Sequence, residues 1–440
     1  MARSTWRNWA GNQVCLPQEV ARPADVAGVV DVVDRARAAG RSVRVAGAGH
    51  SFTPLVPTDG HLVDLAALDG VRRVDPSRGE ITVEAGITLA ALSDALAAHG
   101  LALENLGDIA VQSVAGATAT ATHGTGLGFG NLSSMVTGLR LVTASGEVVT
   151  ASPTERSDLL DVGRTSLGAL GVIVEVTLRV VPAFTLHAVV EPEPLDDVLA
   201  DLDHRLRAHD HVELFWFPHT DVALTKRLRR SGEPAAPRSR PRAWVEGTLV
   251  ENWAFGAVCR LGRRAPALVP ALARGGTRLL GRSEWSDRSD RVFASTRQVR
   301  FLESEWSVPV EELAGAVRAV RSVHDRLGVP VSFPVEVRAV AGDDIPLSTA
   351  HGGPRGFVAV HAYRGTPHEE WFRAVQDVML PLGGRPHWGK LHTLGAAELA
   401  PRYPRWDDFQ AARAELDPHG VFTTPAVARL LGPVGVRPGP

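Results

Sequence analysis

The stretch GDIAVQSVAGATATATHGTGLGFGNLSS, Gly107 to Ser134, constrains what this chain can fold into more than any other. It is crowded with hydroxyls, Ser113, Thr118, Thr120, Thr122 and Thr125, and with Gly116, Gly124, Gly126, Gly128 and Gly130. Side chains this small bury little apolar area, so the segment has little to pack with. Its backbone is expected to lie directly against something flat and polar; the competing reading is a glycine-rich surface loop. A second glycine turn, GAGHSFTPL at Gly47 to Leu55, follows the strand-like run SVRVA and contains His50. Glycines there let the backbone approach a ligand. His50 is either incidental to that turn or has something attached to it.

GAGHSF is not half of a dinucleotide fingerprint. The third glycine is missing, Pro54 follows, no helix opens from the turn, and no ribose-binding acid lies at the usual distance. What remains is a turn whose successive backbone amides can cradle a pyrophosphate.

A chain of 440 residues is too long for one ordinary core, so two or three domains are expected. With 44% hydrophobic and 22% charged residues it has globular composition and no sign of disorder. A net charge of −2 argues against wholesale attraction to nucleic acid or an anionic membrane. The local exception is Thr225 to Trp244, where Lys226, Arg227, Arg229, Arg230, Arg238, Arg240 and Arg242 are read as a solvated, mobile basic loop, or else as a docking surface for an acidic partner. The two cysteines, Cys15 and Cys259, support neither a disulfide framework nor a thiolate metal site. The N-terminus lacks a signal-peptide core and no run reaches the ~18 apolar residues of a membrane span, so a cytoplasmic location is expected.

Val26, Val29, Val30 and Val33 recur at helical spacing up to Gly40, and Leu89, Leu92 and Leu96 do so up to Gly100. Alternating runs on either side of PSRG (Pro76 to Gly79) and of Ala144-Ser145-Gly146 predict two hairpins, and GVIVEVTLRVVPA a further strand ending at Pro182. The first 182 residues therefore read as an α+β domain. Beyond them, helical stretches such as VEELAGAVRAVRSVHDRLG alternate with aromatic strand-like pieces, VELFWF, SEWSVP, PVEVRAVAG and FVAVHAYR. This is the expected place for a substrate cavity.

In a strand Glu336 and Arg338 face the same side, as do His361 and Tyr363. An acid and a base projecting together from an apolar strand are either a structural ion pair or a polar contact aimed into a site. HWGKLH adds His387, Lys390 and His392, and several same-side polar pairs favour a site. The sixteen histidines form no HExxH-type arrangement and there is no GxSxG elbow, which argues against a catalytic metal and against nucleophilic hydrolysis.

SVRVAGAGHSFTPL, SVAGATATATHGTG, PVEVRAVAGDDIPLS, RPHWGKLH and ELDPHGVFTTPAVARLL, in this order, closely resemble the aldonolactone and alditol oxidoreductases of the vanillyl-alcohol-oxidase (PCMH-type) flavoprotein superfamily. The resemblance runs from about Trp6 to Leu431 and is least diagnostic between about 185 and 300. It implies an α+β protein with a PCMH-type FAD-binding domain at 1–182, a substrate-binding (cap) domain with a central antiparallel sheet at 183–410, and a segment at 411–440 that returns to the FAD domain.

It also implies residue roles. His50 matches the histidine that carries the flavin covalently through its 8α-methyl group, and no second cysteine attachment motif is evident. Gly47, Ala48, Gly49, Ser51 and Phe52 would wrap the pyrophosphate. Ser113, Gly116, Thr120, His123 and Gly126 would lie along the flavin, with Ile173 on the adenine side and His392 a further cofactor contact. Glu336, Arg338, Lys390 and His361 match catalytic positions, and Ser113, Glu336, Arg338, Tyr363 and Lys390 substrate-binding ones. The implied reaction is oxidation of a CH–OH group of a sugar-derived 1,4-lactone by hydride transfer to flavin N5, with O2 or another acceptor reoxidising the flavin. The alternatives are an alditol oxidase and, in another class, a non-catalytic flavin-binding protein with an interaction role. GDDIPLS is closer to the lactone oxidases, while His361-Ala362-Tyr363 departs from the alditol oxidase pattern. No nucleic-acid partner and no membrane span are implied, and the assembly expected is a monomer or small homo-oligomer.

Overall fold

The computed structural model describes residues 4–239, 252–295 and 297–434. The first helical pattern forms Val26–Ala38, started by the Asp25 carboxylate, which accepts from the Gly28 amide at 2.8 Å. The second forms Leu89–Ala98, capped by Thr88 in the same way. One strand before the first helix and two after it form a three-stranded parallel sheet in the order Glu19–Ala21, His61–Asp64, Val43–Ala46. Both expected hairpins close. Val71–Asp75 with Glu80–Glu84 and Val136–Val142 with Val148–Ala151 join Val172–Arg179 in a five-stranded antiparallel sheet.

The second half builds one eight-stranded antiparallel sheet in the order Ser283–Arg288, Thr185–Pro194, Val222–Ser231, His211–Trp216, Val335–Val340, Arg355–Tyr363, Phe301–Pro309, Arg385–Pro386. Helix Leu313–Leu327 buries Leu313, Ala316, Val317, Val320 and Val323, a 3.6-residue stripe. No helix among the described residues is long and apolar enough to cross a membrane.

The basic stretch is not the mobile loop expected. Lys226, Arg227, Arg229 and Arg230 belong to the strand Val222–Ser231, in the interior of the large sheet. The strand is tolerated there because neighbouring strands supply counter-charge: Lys226 faces Glu213 at 3.5 Å and Arg227 pairs with Glu191. Arg230 stacks over Phe184 at 4.2 Å and Arg238 over Trp285 at 4.0 Å. Arg240, Arg242 and Trp244 lie outside the described residues.

Arg44, buried in Val43–Ala46, ties distant segments together. Its guanidinium donates to the carbonyls of Leu55 (2.7 Å), Leu167 (2.7 Å), Gly168 (2.8 Å) and Phe422 (2.8 Å). Burial and Arg413 lower it to about 10, so it remains charged at neutral pH. The C-terminal segment adds bonds from the Val43 amide to Val421 O (2.7 Å) and from Ala144 to Leu416 O (3.3 Å). Arg44→Leu should cost about 3–5 kcal/mol, since it strands carbonyls that have no other donor among the described residues. Urea unfolding measures this; a loss under about 1 kcal/mol would mean that water satisfies those carbonyls instead.

Candidate active site

Directly paired residues of an antiparallel sheet share a face. Glu303 pairs with His361; Glu305 pairs with Ala359, which pairs with Glu336, which pairs with Phe215. Arg338, two residues from Glu336, and Glu213, two from Phe215, fall on the same face, and Glu213 in turn pairs with Lys226. One side of five adjacent strands thus carries four buried glutamates, 213, 303, 305 and 336, together with His361, Arg338 and Lys226.

Arg338 sits among the acids. It pairs with Glu336, reaches Glu213 at 3.3 Å through Nε, and donates to His123 O at 3.3 Å. Burial raises the Glu336 carboxyl well above its ordinary range, and Glu213, its hydrogen-bond partner, reinforces this against the pull of Arg338. Burial acts on Glu213 in the same direction, yet Lys226, Arg338 and the proton on Glu336 hold it below. The two carboxyls are therefore pushed in opposite directions, Glu336 up and Glu213 down. Burial alone would lower the Arg338 guanidinium, but Glu336, Glu213, Glu305 and Asp108 hold it above its ordinary value.

Lys390 pairs with Glu303 and lies 5.3 Å from the Phe52 ring centroid. His361 donates from Nδ1 to Pro334 O at 3.0 Å, which fixes its tautomer and leaves Nε2 an open lone pair 3.7 Å from Glu303. Burial lowers the His361 ring below its ordinary 6.5. His123 meets Glu305 at 3.2 Å through Nε2. Burial would raise Glu305, but His123, Lys390 and His387 bring it well below the usual carboxylate range. The donor atoms of His123, Glu305 and His387, and those of Glu303, Glu336 and His361, lie within 4.8 Å of one another. In both groups basic side chains already provide the counter-charge that a metal would bring.

The two glycine motifs close over this face. In the first, Gly49 has φ +70°, which favours glycine, and a Cβ on Gly47 would stand 2.3 Å from Ser113 Oγ, so a larger residue there would have to turn that hydroxyl aside. The carbonyls of Gly49, Ser51 and Phe52 are held by Trp9 N (2.8 Å), Asn8 Nδ2 (3.0 Å), Asn12 Nδ2 (2.9 Å) and Gln13 Nε2 (2.8 Å). The amides of Ala48, Gly49, His50 and Ser51 find no acceptor among the described residues. Phe52 N donates to Gly389 O at 2.7 Å and Thr53 Oγ1 to Trp388 O at 2.7 Å, fastening the turn to the HWGK segment. His50 stacks on Trp9 with centroids 5.1 Å apart, and burial and then Lys390 push it down to about 4.

In the second motif, Val114–Ala119 is a short helix rather than a glycine-rich surface loop, and Thr118 and Thr120 bond back to Val114 O and Gly116 O, both at 3.0 Å. The chain then runs to Gly126, whose amide donates to Ala339 O at 2.6 Å beside Arg338, and where a Cβ would meet Asp210 O at 2.3 Å.

Of the residues expected at the site, Glu336, Arg338, Lys390, His361 and His123 come together, with Phe52 and His50 against Lys390 and Ser113 against Gly47. Ile173 stands apart, opposite Leu141 in the five-stranded sheet. Both ring nitrogens of His392 are buried without a partner, and burial and Arg429 lower it to about 3. Tyr363 pairs with Phe301 at the end of its strand. Glu213, Glu303 and Glu305 were not expected. A signal exists for them: acids two residues apart in the apolar run FLESEW repeat the spacing of Glu336 and Arg338, and Glu213 interrupts VELFWF.

This fold has solved counterparts. Cholesterol oxidase from B. sterolicum superposes with a TM-score of 0.81 at 20% identity, covering 98% of this chain and 97% of that one, and a solvent-stable cholesterol oxidase with 0.79. Residues 17–152 match the FAD binding domain family. Fold and motif together define a flavoprotein of the PCMH-type class. Residues 176–430 match the D-arabinono-1,4-lactone oxidase family, and the chain belongs to it. The L-gulono-1,4-lactone dehydrogenase of Mycobacterium tuberculosis is 46% identical over 97% of this chain and 99% of its own length. L-gulonolactone oxidase of Bos taurus is 32% identical (95% and 96% covered), and alditol oxidase of a Streptomyces species 35% identical (96% and 98%).

The turn at Gly47 to Phe52 fits FAD. Four consecutive amides without an acceptor among the described residues, in a glycine turn that packs closely on Ser113, form a concavity for a pyrophosphate.

Proposed function

We propose that this chain oxidises a CH–OH group of a sugar-derived 1,4-lactone of the L-gulono- or D-arabinono- type. When bound, FAD supplies the two-electron acceptor for the carbon-bound hydride, and O2 or another acceptor takes the electrons onward. The observation that carries this reading is the meeting of Glu336, Arg338, Lys390 and His361 on one buried sheet face under the two glycine motifs. The names of the relatives supply the substrate class.

In this reading Arg338 and Lys390 stabilise negative charge developing on the substrate oxygen. Protonated Glu336 is a donor to a second oxygen, and neutral His361 accepts the hydroxyl proton on Nε2. Glu303 is a positioning residue, holding Lys390 beside His361. His50 carries the flavin covalently: an imidazole that stays neutral down to about pH 4 is an available nucleophile at neutral pH. We assign 1–182 and 411–440 to the FAD domain and 183–410 to the cap, and place the enzyme in the cytoplasm, where free Cys15 and buried Cys259 stay reduced.

Anaerobic mixing with L-gulono-1,4-lactone, D-arabinono-1,4-lactone, xylitol and sorbitol tests the substrate. Bleaching of the flavin by the lactones is expected. Bleaching by polyols alone would make the chain an alditol oxidase, and none by any of the four a non-catalytic flavin protein. Turnover in air against turnover with an artificial acceptor separates oxidase from dehydrogenase.

The proton assignment predicts a pH profile. The folded-state value of His361 lies below 6.5, so the competent neutral form predominates at pH 7 and is lost as pH falls through that lower value. kcat/KM should fall tenfold per pH unit on the acid limb in the wild type. His361→Gln should lower activity and flatten that limb; a slow variant that keeps the limb would move the base elsewhere.

A further inference from the structure

An open cavity of about 880 Å³ lies on the cap beyond the end of the active-site face, lined by Trp253, Arg260, Arg263, Arg300 and Arg364, among others. It adjoins the Phe301–Tyr363 register pair, the last of the ladder that pairs Glu303 with His361 two positions further in. Arg364 also packs against Gly11, close to the Trp9 ring that stacks on His50.

The four guanidiniums have no carboxylate partner among the described residues. That is unusual for this region: Arg288 pairs with Asp290 at 2.5 Å, Arg297 with Asp108 at 2.7 Å and Arg321 with Asp221 at 2.5 Å. For Arg260 and Arg263 the local sequence accounts for the difference, because residues 252–283 contain no acid. The Arg263 side chain and the Arg300 and Arg364 backbones are fixed. Arg263 donates to Arg364 O at 3.4 Å and lies 5.5 Å from the Tyr363 centroid, while Arg364 N donates to Arg300 O at 3.2 Å. Trp253, 60% exposed, offers a flat apolar rim.

We propose that this cavity binds a polyanion of the pyrophosphate type. Like charges converging on a ligand-sized cavity repel one another until an anion fills it, and guanidinium forks match phosphate oxygens bidentately. A monocarboxylate would leave most of the positive charge unanswered, so charge matching favours a ligand of two or more negative charges. Such phosphates come either from a soluble phosphorylated compound or from an anionic lipid headgroup.

Isothermal titration of pyrophosphate into the FAD-loaded protein, whose flavin cradle is already filled, should give saturable one-site binding. Gluconate at equal ionic strength should bind at least tenfold more weakly. Arg260→Ala with Arg300→Ala should weaken pyrophosphate at least tenfold and leave lactone-dependent flavin reduction within twofold of wild type, since neither residue belongs to the catalytic cluster. Co-sedimentation with phosphatidylcholine vesicles containing phosphatidylglycerol, competed by pyrophosphate, would identify the lipid source; pyrophosphate binding without sedimentation would identify the soluble one. Absence of pyrophosphate binding in wild type, or binding undiminished in the double variant, overturns the proposal.

Discussion

Arg338→Met is expected to lower kcat/KM for the lactone by about 10³-fold, the upper range for removing one preorganised charge-stabilising donor. The residue is largely shielded among Glu336, Glu213, Glu305 and Asp108, and methionine fills its volume without its charge. The same change should cost about 3–5 kcal/mol of stability, because Glu213 then lacks its strongest neighbouring cation except Lys226. Activity and stability can be separated. Adding Glu213→Gln removes the stranded charge, so the Arg338→Met/Glu213→Gln protein should recover much of its unfolding free energy while its anaerobic flavin-reduction rate stays low. A single variant that turns over within tenfold of wild type would show that Arg338 is structural only.

His50→Ala is the second large effect. Acid precipitation of wild type should leave the yellow colour in the pellet, and the variant should release it entirely to the supernatant. The amides of Ala48, Gly49 and Ser51 remain in the variant, so FAD should still bind reversibly, and the melting temperature should rise with added FAD as mass action requires. In wild type that dependence should be absent. Colour in the wild-type supernatant would dismiss the covalent bond without touching the FAD assignment.

Local chemistry makes part of the site legible in the sequence. Glu336 and Arg338 share a face because strand side chains alternate, and the glycines at 47 and 49 announce a close approach and a positive φ. Other readings fail for reasons of context. Seven basic residues between Thr225 and Trp244 look like a solvated loop, yet the strand among them is stabilised by Glu191, Glu193 and Glu213 from neighbouring strands. The small-residue run near Thr118 forms a helical turn in which Thr118 and Thr120 also bond their own backbone, a local option that composition does not display.

By itself, then, the sequence determines the periodic elements, the glycine turns, the i, i+2 polar pairs and the ordered motifs that mark the family. Only the tertiary structure decides which strands are neighbours. Val335–Val340 lies between His211–Trp216 and Arg355–Tyr363, more than a hundred residues apart, and Phe301–Pro309 completes the face. That adjacency puts four glutamates within reach of one arginine and two lysines, and the burial that follows pushes the Glu336 carboxyl up and the His361 ring down. Protonation states of this kind come from desolvation and from neighbouring charge, and both are properties of the packed sheet.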